Sequence, residues 1–205
     1  MDKKQVFTEE SDDTTCLTAE EREDLIPSWI TLRAELNELE ALGLVASQKW
    51  LLKSKPKEIL SEDFIRKLHK KMFGEVWKWA GKFRITEKNI GVAPYDIAFQ
   101  LKLLLDDLNF WITNKVFAPV EIVARFHHRL VFVHPFPNGN GRLSRAMADL
   151  LAERLGEKRS TWGESDLQQM SEIRYRYISA LREADCGNYE KLIKFVAGAH
   201  VLLKK

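Results

Sequence analysis

Cysteine is nearly absent: Cys16 and Cys186 are the two in 205 residues, and neither stands in a CxxC or Cys/His ligand spacing. A disulfide framework and a structural zinc site are therefore excluded, and a reducing, cytoplasmic compartment is expected. Net charge of one sign is also missing, since 32 Lys and Arg oppose 30 Asp and Glu. No global field draws the chain to nucleic acid or to an anionic membrane. No run of about 18 apolar residues is present to span a bilayer, and the first residues lack the apolar core of a signal peptide, so no membrane partner is expected. Low-complexity linkers and internal repeats are absent too. What remains is a chain that is 45% hydrophobic and 30% charged. Such a composition buries a core and places the chain among globular proteins of one domain.

Charge is unevenly spread. Residues 1–24 hold nine acids and three bases, a net of −6, which leaves +8 for the remaining 181. With few apolar anchors, an acidic leader over residues 1–27 is expected to be mobile or loosely docked. A helix is expected next, within residues 28–55, because Leu32, Leu36, Leu39, Gly43, Ala46 and Trp50 recur at steps of three and four. Gly43 is a possible interruption. A domain over residues 56–205 follows, and its first helix is capped by Ser61, carries Phe64, Leu68 and Met72 inward, and stops at Gly74. The aromatic and glycine-containing stretch from Glu75 to Asp96 has no helical period and predicts a loop with one short β-hairpin. Further helices are expected from Ile97 to Trp111, from Pro119 to Leu130, from Leu143 to Leu151, from Leu167 to Ala184 with Gly187 as stop, and from Tyr189 to Leu203. The fold class is mainly α.

Between the fourth and fifth of these helices lies HPFPNGNG, residues 134–141, which no helix interior tolerates. Gly139, Asn140 and Gly141 directly precede a helix. Glycines there let backbone N–H groups converge on one point, and the helix N-terminus adds partial positive charge, so the turn suits phosphate. Arg142 and Arg145 are three apart and share a face, with fork geometry for oxygens farther along a polyphosphate. His134 stands beside the turn, with an ordinary pKa near 6.5 that fits removal of a hydroxyl proton.

Residues 134–145, HPFPNGNGRLSR, resemble the Fic motif HxFx(D/E)GNGRxxR, and Leu68–Arg84, LHKKMFGEVWKWAGKFR, resembles the family's second recognisable block. With TLRAELNELE near the N-terminus, the chain is similar to the subgroup called mobile mystery protein B, found on mobile elements. The resemblance implies the Fic (Fido) helical bundle with a small β-hairpin flap and an N-terminal inhibitory-type helix. It implies His134 as general base, Gly139, Asn140 and Gly141 as anion hole, and Arg142 and Arg145 on the outer phosphates of ATP. AMP would pass to a Tyr, Ser or Thr hydroxyl of a protein target. Thr86, Glu87, Lys88, Asn89, Ile90, Gly91 and Val92 would form the flap that docks the target.

Asn138 departs from the pattern. The family's carboxylate at this position holds Mg²⁺ (or Mn²⁺), whereas an amide offers one oxygen and no charge, which implies weakened or rearranged metal binding. Thr31 and Glu35 resemble the start of the family's inhibitory pattern (S/T)xxxE(G/N), with Leu36 where Gly or Asn is expected, and would share a helical face. Two alternatives stay open: a Fic-type transferase of another phosphate-linked group, or a non-enzymatic phosphate-binding module acting through a helix-turn-helix partner. His127 and His128 point to different faces of a helix and read as structural. Trp77 and Trp79 read as core, the lysines of residues 49–71 as a solvated surface, and Tyr175, Tyr177 and Asn188 as a conceivable base pocket.

Overall fold

The computed structural model describes residues 16–162 and 170–198. They divide into two compact units, Met1–Ile90 with Phe136–Gly139, and Gly91–Pro135 with Asn140–Lys205.

The first unit begins with α1 (Ala19–Asp24), closed by a capping box in which the Thr18 hydroxyl accepts from the Glu21 N–H at 3.2 Å and the Glu21 carboxylate accepts from the Thr18 N–H at 2.9 Å. Composition predicts a loosely docked leader through residue 27. Residues 16–27 instead bury Leu17 and Leu25, and the Ile26 N–H donates to the Val76 carbonyl at 2.8 Å. These two apolar anchors, further backbone bonds to Thr31 and Lys78, and the Arg33–Glu21 ion pair hold the short acidic segment; residues 1–15 lie outside the described set.

Helix α2 (Arg33–Ser54) passes through Gly43 without interruption. Its buried line is Leu36, Glu40, Gly43 and Ser47, while Leu32 and Ala46 of the expected stripe are exposed. The cause is close approach to α3 (Glu62–Phe73): a Cβ on Gly43 would collide with the Met72 carbonyl, so the contact line follows the small residues. Glu40 reaches this interior because its carboxylate accepts from the Trp77 indole N–H at 2.7 Å. Helix α3 follows its sequence signals. Ser61 accepts from the Phe64 N–H at 3.2 Å, and Gly74 ends the helix.

In the second unit a 3₁₀ turn (Pro94–Asp96) leads into α4 (Ile97–Asn114), which buries Ile97, Leu101, Leu104, Leu105 and Leu108. Helix α5 (Pro119–Val133) starts on its proline and packs against α4 and α6 (Asn140–Arg154), and the small residues Ala124, Ser144, Ala148 and Ala152 are buried. Helices α7 (Met170–Asp185) and α8 (Glu190–Val196) form a hairpin around Gly187 at φ +85°, and α8 returns to α5. The expected starts at Leu167 and end at Leu203 lie outside the described residues.

The predicted β-hairpin does not form. Residues 83–93 run as bends and coil, and the antiparallel pairings among the described residues are the isolated bridges Cys16–Leu32 and Leu25–Trp77. Residues 85–91 are all exposed, so this aromatic-poor tip has no face to bury against a partner strand. No described helix is long and apolar enough to cross a membrane.

Candidate active site

Helix α5 ends where Pro135 disfavours right-handed helix for the residue before it. His134 takes the left-handed conformation, φ 50° and ψ 58°, and its N–H still reaches the Leu130 carbonyl at 3.2 Å. A non-glycine residue held there costs on the order of 1–2 kcal/mol, which the surrounding packing must offset. The next two residues supply it, since Pro135 and Phe136 are buried.

The middle of the α5–α6 connection belongs to the first unit. Phe136 lies flat on the His69 ring, centroids 3.8 Å apart and planes at 14°, and Phe83 meets it at 5.6 Å. Gly139 has φ +78°, and a Cβ there would stand 2.5 Å from Cε2 and 2.7 Å from Cζ of Phe73. This glycine is thus required twice, by its dihedral and by the aromatic ring pressed against it.

The outer half of the turn opens α6. Asn140 is buried, and its carbonyl accepts from the Ser144 hydroxyl at 2.7 Å. Gly141 is exposed, and a Cβ there meets nothing within 4 Å. Its neighbouring space is open, and the first N–H groups of α6 have no partner inside the helix. Arg142 and Arg145 follow within the first two turns. The second unit therefore brings His134, Asn140, Gly141, Arg142 and Arg145 together on the paired helices α5 and α6.

Beside Arg145 lies an aromatic layer. His127 is fully buried, its Nε2 pairs with the Tyr177 hydroxyl at 2.9 Å, and its ring contacts Trp162 at 4.6 Å. Burial, aided by the Arg145 charge, pushes His127 down to about 3. Burial pushes Tyr177 up to about 12, against the pull of Arg145. Both groups are therefore neutral near pH 7. His128 pairs with Asp185 at 2.8 Å and with the Tyr189 hydroxyl at 3.1 Å. The two histidines hold helices together, and among the described residues no group of three His, Cys, Asp or Glu is arranged for a metal. Tyr177 lies in this aromatic layer, Tyr175 is exposed, and Asn188 accepts from the Glu190 N–H at 3.1 Å.

Asn138, Thr31 and Glu35 are engaged in local backbone bonds. The Asn138 side-chain oxygen accepts from the Gly139 N–H at 2.7 Å, so it serves the turn's own backbone. With that oxygen engaged and no carboxylate in the turn, these residues do not fit a protein-held Mg²⁺ or Mn²⁺. Thr31 precedes α2 and shares no helical face with Glu35, because the cap is Leu32. The Glu35 carboxylate accepts from the Thr31 N–H at 2.9 Å and the Leu32 N–H at 3.1 Å, and these bonds hold it below the ordinary carboxylate range. Trp77 and Trp79 stack at 5.0 Å, with Trp77 in the interior as expected. Arg84 is buried and donates to the Thr86 carbonyl at 3.1 Å, anchoring the base of the exposed 85–91 segment. Sequence reading assigned no role to His69 or Phe73, which grip the turn. The one sign of them was a histidine among the apolar positions of α3.

The described residues, mostly helical and with a glycine turn opening a helix that carries Arg142 and Arg145, have the fold of solved Fic proteins. Residues 59–152 match the model of the Fic/DOC family, and the chain carries a Fic/DOC domain. Protein adenylyltransferase fic-1 from Caenorhabditis elegans is 31% identical over 166 residues, 77% of this chain and 31% of that protein. Protein adenylyltransferase Fic from Aedes aegypti is 29% identical over 165 residues, again 77% of this chain and 32% of the relative. The chain thus spans about a third of the length of these curated relatives. A solved structure of C. elegans Fic-1 superposes with TM-score 0.65 at 30% identity, covering 77% of this chain and 47% of that one. A Bartonella quintana Fic domain covers 91% of this chain and 88% of its own at TM-score 0.68 and 19% identity, a likeness of fold.

Proposed function

We propose that this chain is a protein nucleotidyltransferase that moves AMP from ATP to a Tyr, Ser or Thr hydroxyl of a target protein. The observation that carries the reading is the combination on α5 and α6 of a strained histidine, an open glycine at a helix N-terminus and two arginines. Relatives near 30% identity are named protein adenylyltransferases, and a neighbour of the same fold was solved with bound ADP.

In the proposed reaction the target oxygen forms a bond to the α phosphorus, the bond from that phosphorus to the bridging oxygen breaks, and pyrophosphate leaves with the electron pair. The hydroxyl proton goes to His134 and from there to water. The N–H groups at the start of α6 face the negative charge that grows on the α phosphate, and their fixed direction means no reorganisation is needed during transfer. Arg142 and Arg145 take the outer phosphates. Neutral His127 and Tyr177 leave Arg145 its full charge for this use. The exposed segment Thr86–Val92 docks the target chain. A restraint by Glu35 is part of the proposal, and it requires the carboxylate to exchange its two capping amides for an arginine.

The test uses ATP labelled either on the α phosphate or on the γ phosphate, followed by intact mass of the chain and of candidate targets. Transfer of the α label alone, with the mass of one AMP, is expected, and His134→Ala abolishes it. Transfer of the γ label, no transfer at any metal concentration, or undiminished labelling by His134→Ala overturns the reading.

A further inference from the structure

We infer that His69 is a positioning residue for the turn at residues 138–141, acting through the main chain of Asn138. The inference rests on reading that turn as the phosphate cradle. His69 is fully buried on α3, and both ring nitrogens are engaged. Nδ1 accepts from the Gly81 N–H at 2.9 Å, so Nδ1 carries no proton. The proton of the neutral ring therefore sits on Nε2, which donates to the Asn138 carbonyl at 3.1 Å. An imidazolium would set one N–H against another at Gly81, so the backbone of one loop selects the tautomer that holds the next.

The Asn138 carbonyl matters because a peptide unit is planar. Fixing this C=O fixes the plane shared with the Gly139 N–H, which the Asn138 side-chain oxygen holds from the other side at 2.7 Å. The peptide before the cradle is thus clamped at both ends, and the N–H groups of the next residues start from a fixed direction. One turn below His69 on the same face of α3, Phe73 presses on Gly139, and the His69 ring itself carries Phe136. Consecutive points of the turn are gripped by two side chains four residues apart. Gly81 is tied down in turn, since its carbonyl accepts from Arg66 Nε at 3.0 Å and a Cβ on it would meet the Arg66 carbonyl at 2.9 Å. Packing alone does not call for a histidine here, because an apolar ring would fill the space without placing polar atoms in the interior.

Two substitutions separate the two bonds. His69→Asn places an acceptor near the Nδ1 position and keeps the Gly81 bond; His69→Gln places a donor near the Nε2 position and keeps the Asn138 bond. His69→Phe keeps the stack and loses both. Amide hydrogen exchange is read at Gly81 and at Gly139, Asn140 and Gly141, beside equilibrium binding of ATP and the melting midpoint. His69→Asn and His69→Phe are expected to speed exchange at Gly139–Gly141 by about tenfold and to weaken ATP binding by a similar factor, while His69→Gln stays within about threefold of the parent and loses protection at Gly81 instead. Equal exchange at Gly139–Gly141 in the Asn and Gln variants, fast or slow, overturns the inference. If the variants do not fold, ¹⁵N spectra of the unaltered chain decide it: His69 must show a bare Nδ1 and a protonated Nε2, and the opposite tautomer overturns it. Should the unaltered chain bind no ATP, the cradle reading falls, while the exchange pattern still judges the grip of His69 on the turn.

Discussion

The two glycines of the GNG turn should respond oppositely to a single methyl group. In Gly139→Ala the new Cβ enters at 2.5 Å from Phe73 Cε2, well inside contact distance, at a φ of +78°. The ring has little freedom to retreat, because Phe73 is buried and lies 4.9 Å from the His69 ring. A left-handed alanine costs about 1–2 kcal/mol, and overpacking adds about 1–3 kcal/mol, so the sum is roughly 2–5 kcal/mol. For a chain of this size each kcal/mol moves the melting midpoint by about 2–4 °C, which gives a loss of roughly 4–20 °C. Gly141→Ala meets nothing within 4 Å and lies in α6, where replacing glycine gains about 0.5–1 kcal/mol. Its midpoint should hold or rise, yet ATP binding should fall, because the methyl occupies the space through which a phosphate approaches the helix N-terminus. Calorimetry and ATP titration on both variants read the two quantities separately. The reasoning is refuted if Gly139→Ala melts like the parent, or if Gly141→Ala binds ATP undiminished.

Acid should destabilise the fold through His127. Its folded pKa, about 3, lies below the ordinary 6.5, so the unfolded chain binds one more proton between those values. The contribution is complete above about pH 6.5 and is lost on acidification at up to ~1.4 kcal/mol per pH unit. Denaturant midpoints of the parent from pH 7 to pH 4 should show this slope, and His127→Phe with Tyr177→Phe should flatten it. Glu35→Gly should lower the melting midpoint slightly by removing the acceptor of two capping amides; if the residue also restrains the site, AMP labelling rises by about tenfold, and unchanged labelling confines Glu35 to the cap. Gly43→Ala should separate α2 from α3, costing about 1–3 kcal/mol, because the obstacle is the Met72 carbonyl and not a movable side chain. Urea unfolding checks it, and a midpoint equal to the parent's contradicts the close contact.

Local chemistry made much of this molecule legible in its sequence. Ser61 and Gly74 bound α3, Pro119 opens α5 and Gly187 closes α7, because capping, a fixed φ and a positive φ act within one turn of chain. Residues 134–145 are contiguous, so the histidine, the glycine turn and the arginines could be read as one constellation before any fold was known. Tertiary structure alone decided the rest. The buried face of α2 was set by the Met72 carbonyl opposite Gly43. The stretch at 83–93 had strand-forming residues, but a strand needs a ladder partner, and none is met there among the described residues. His69 reaches Asn138 across 69 positions, and His127 reaches Tyr177 across 50. No periodicity or spacing carries such pairs, since they arise only when packing closes distant segments on one another and a buried polar atom must find its partner there.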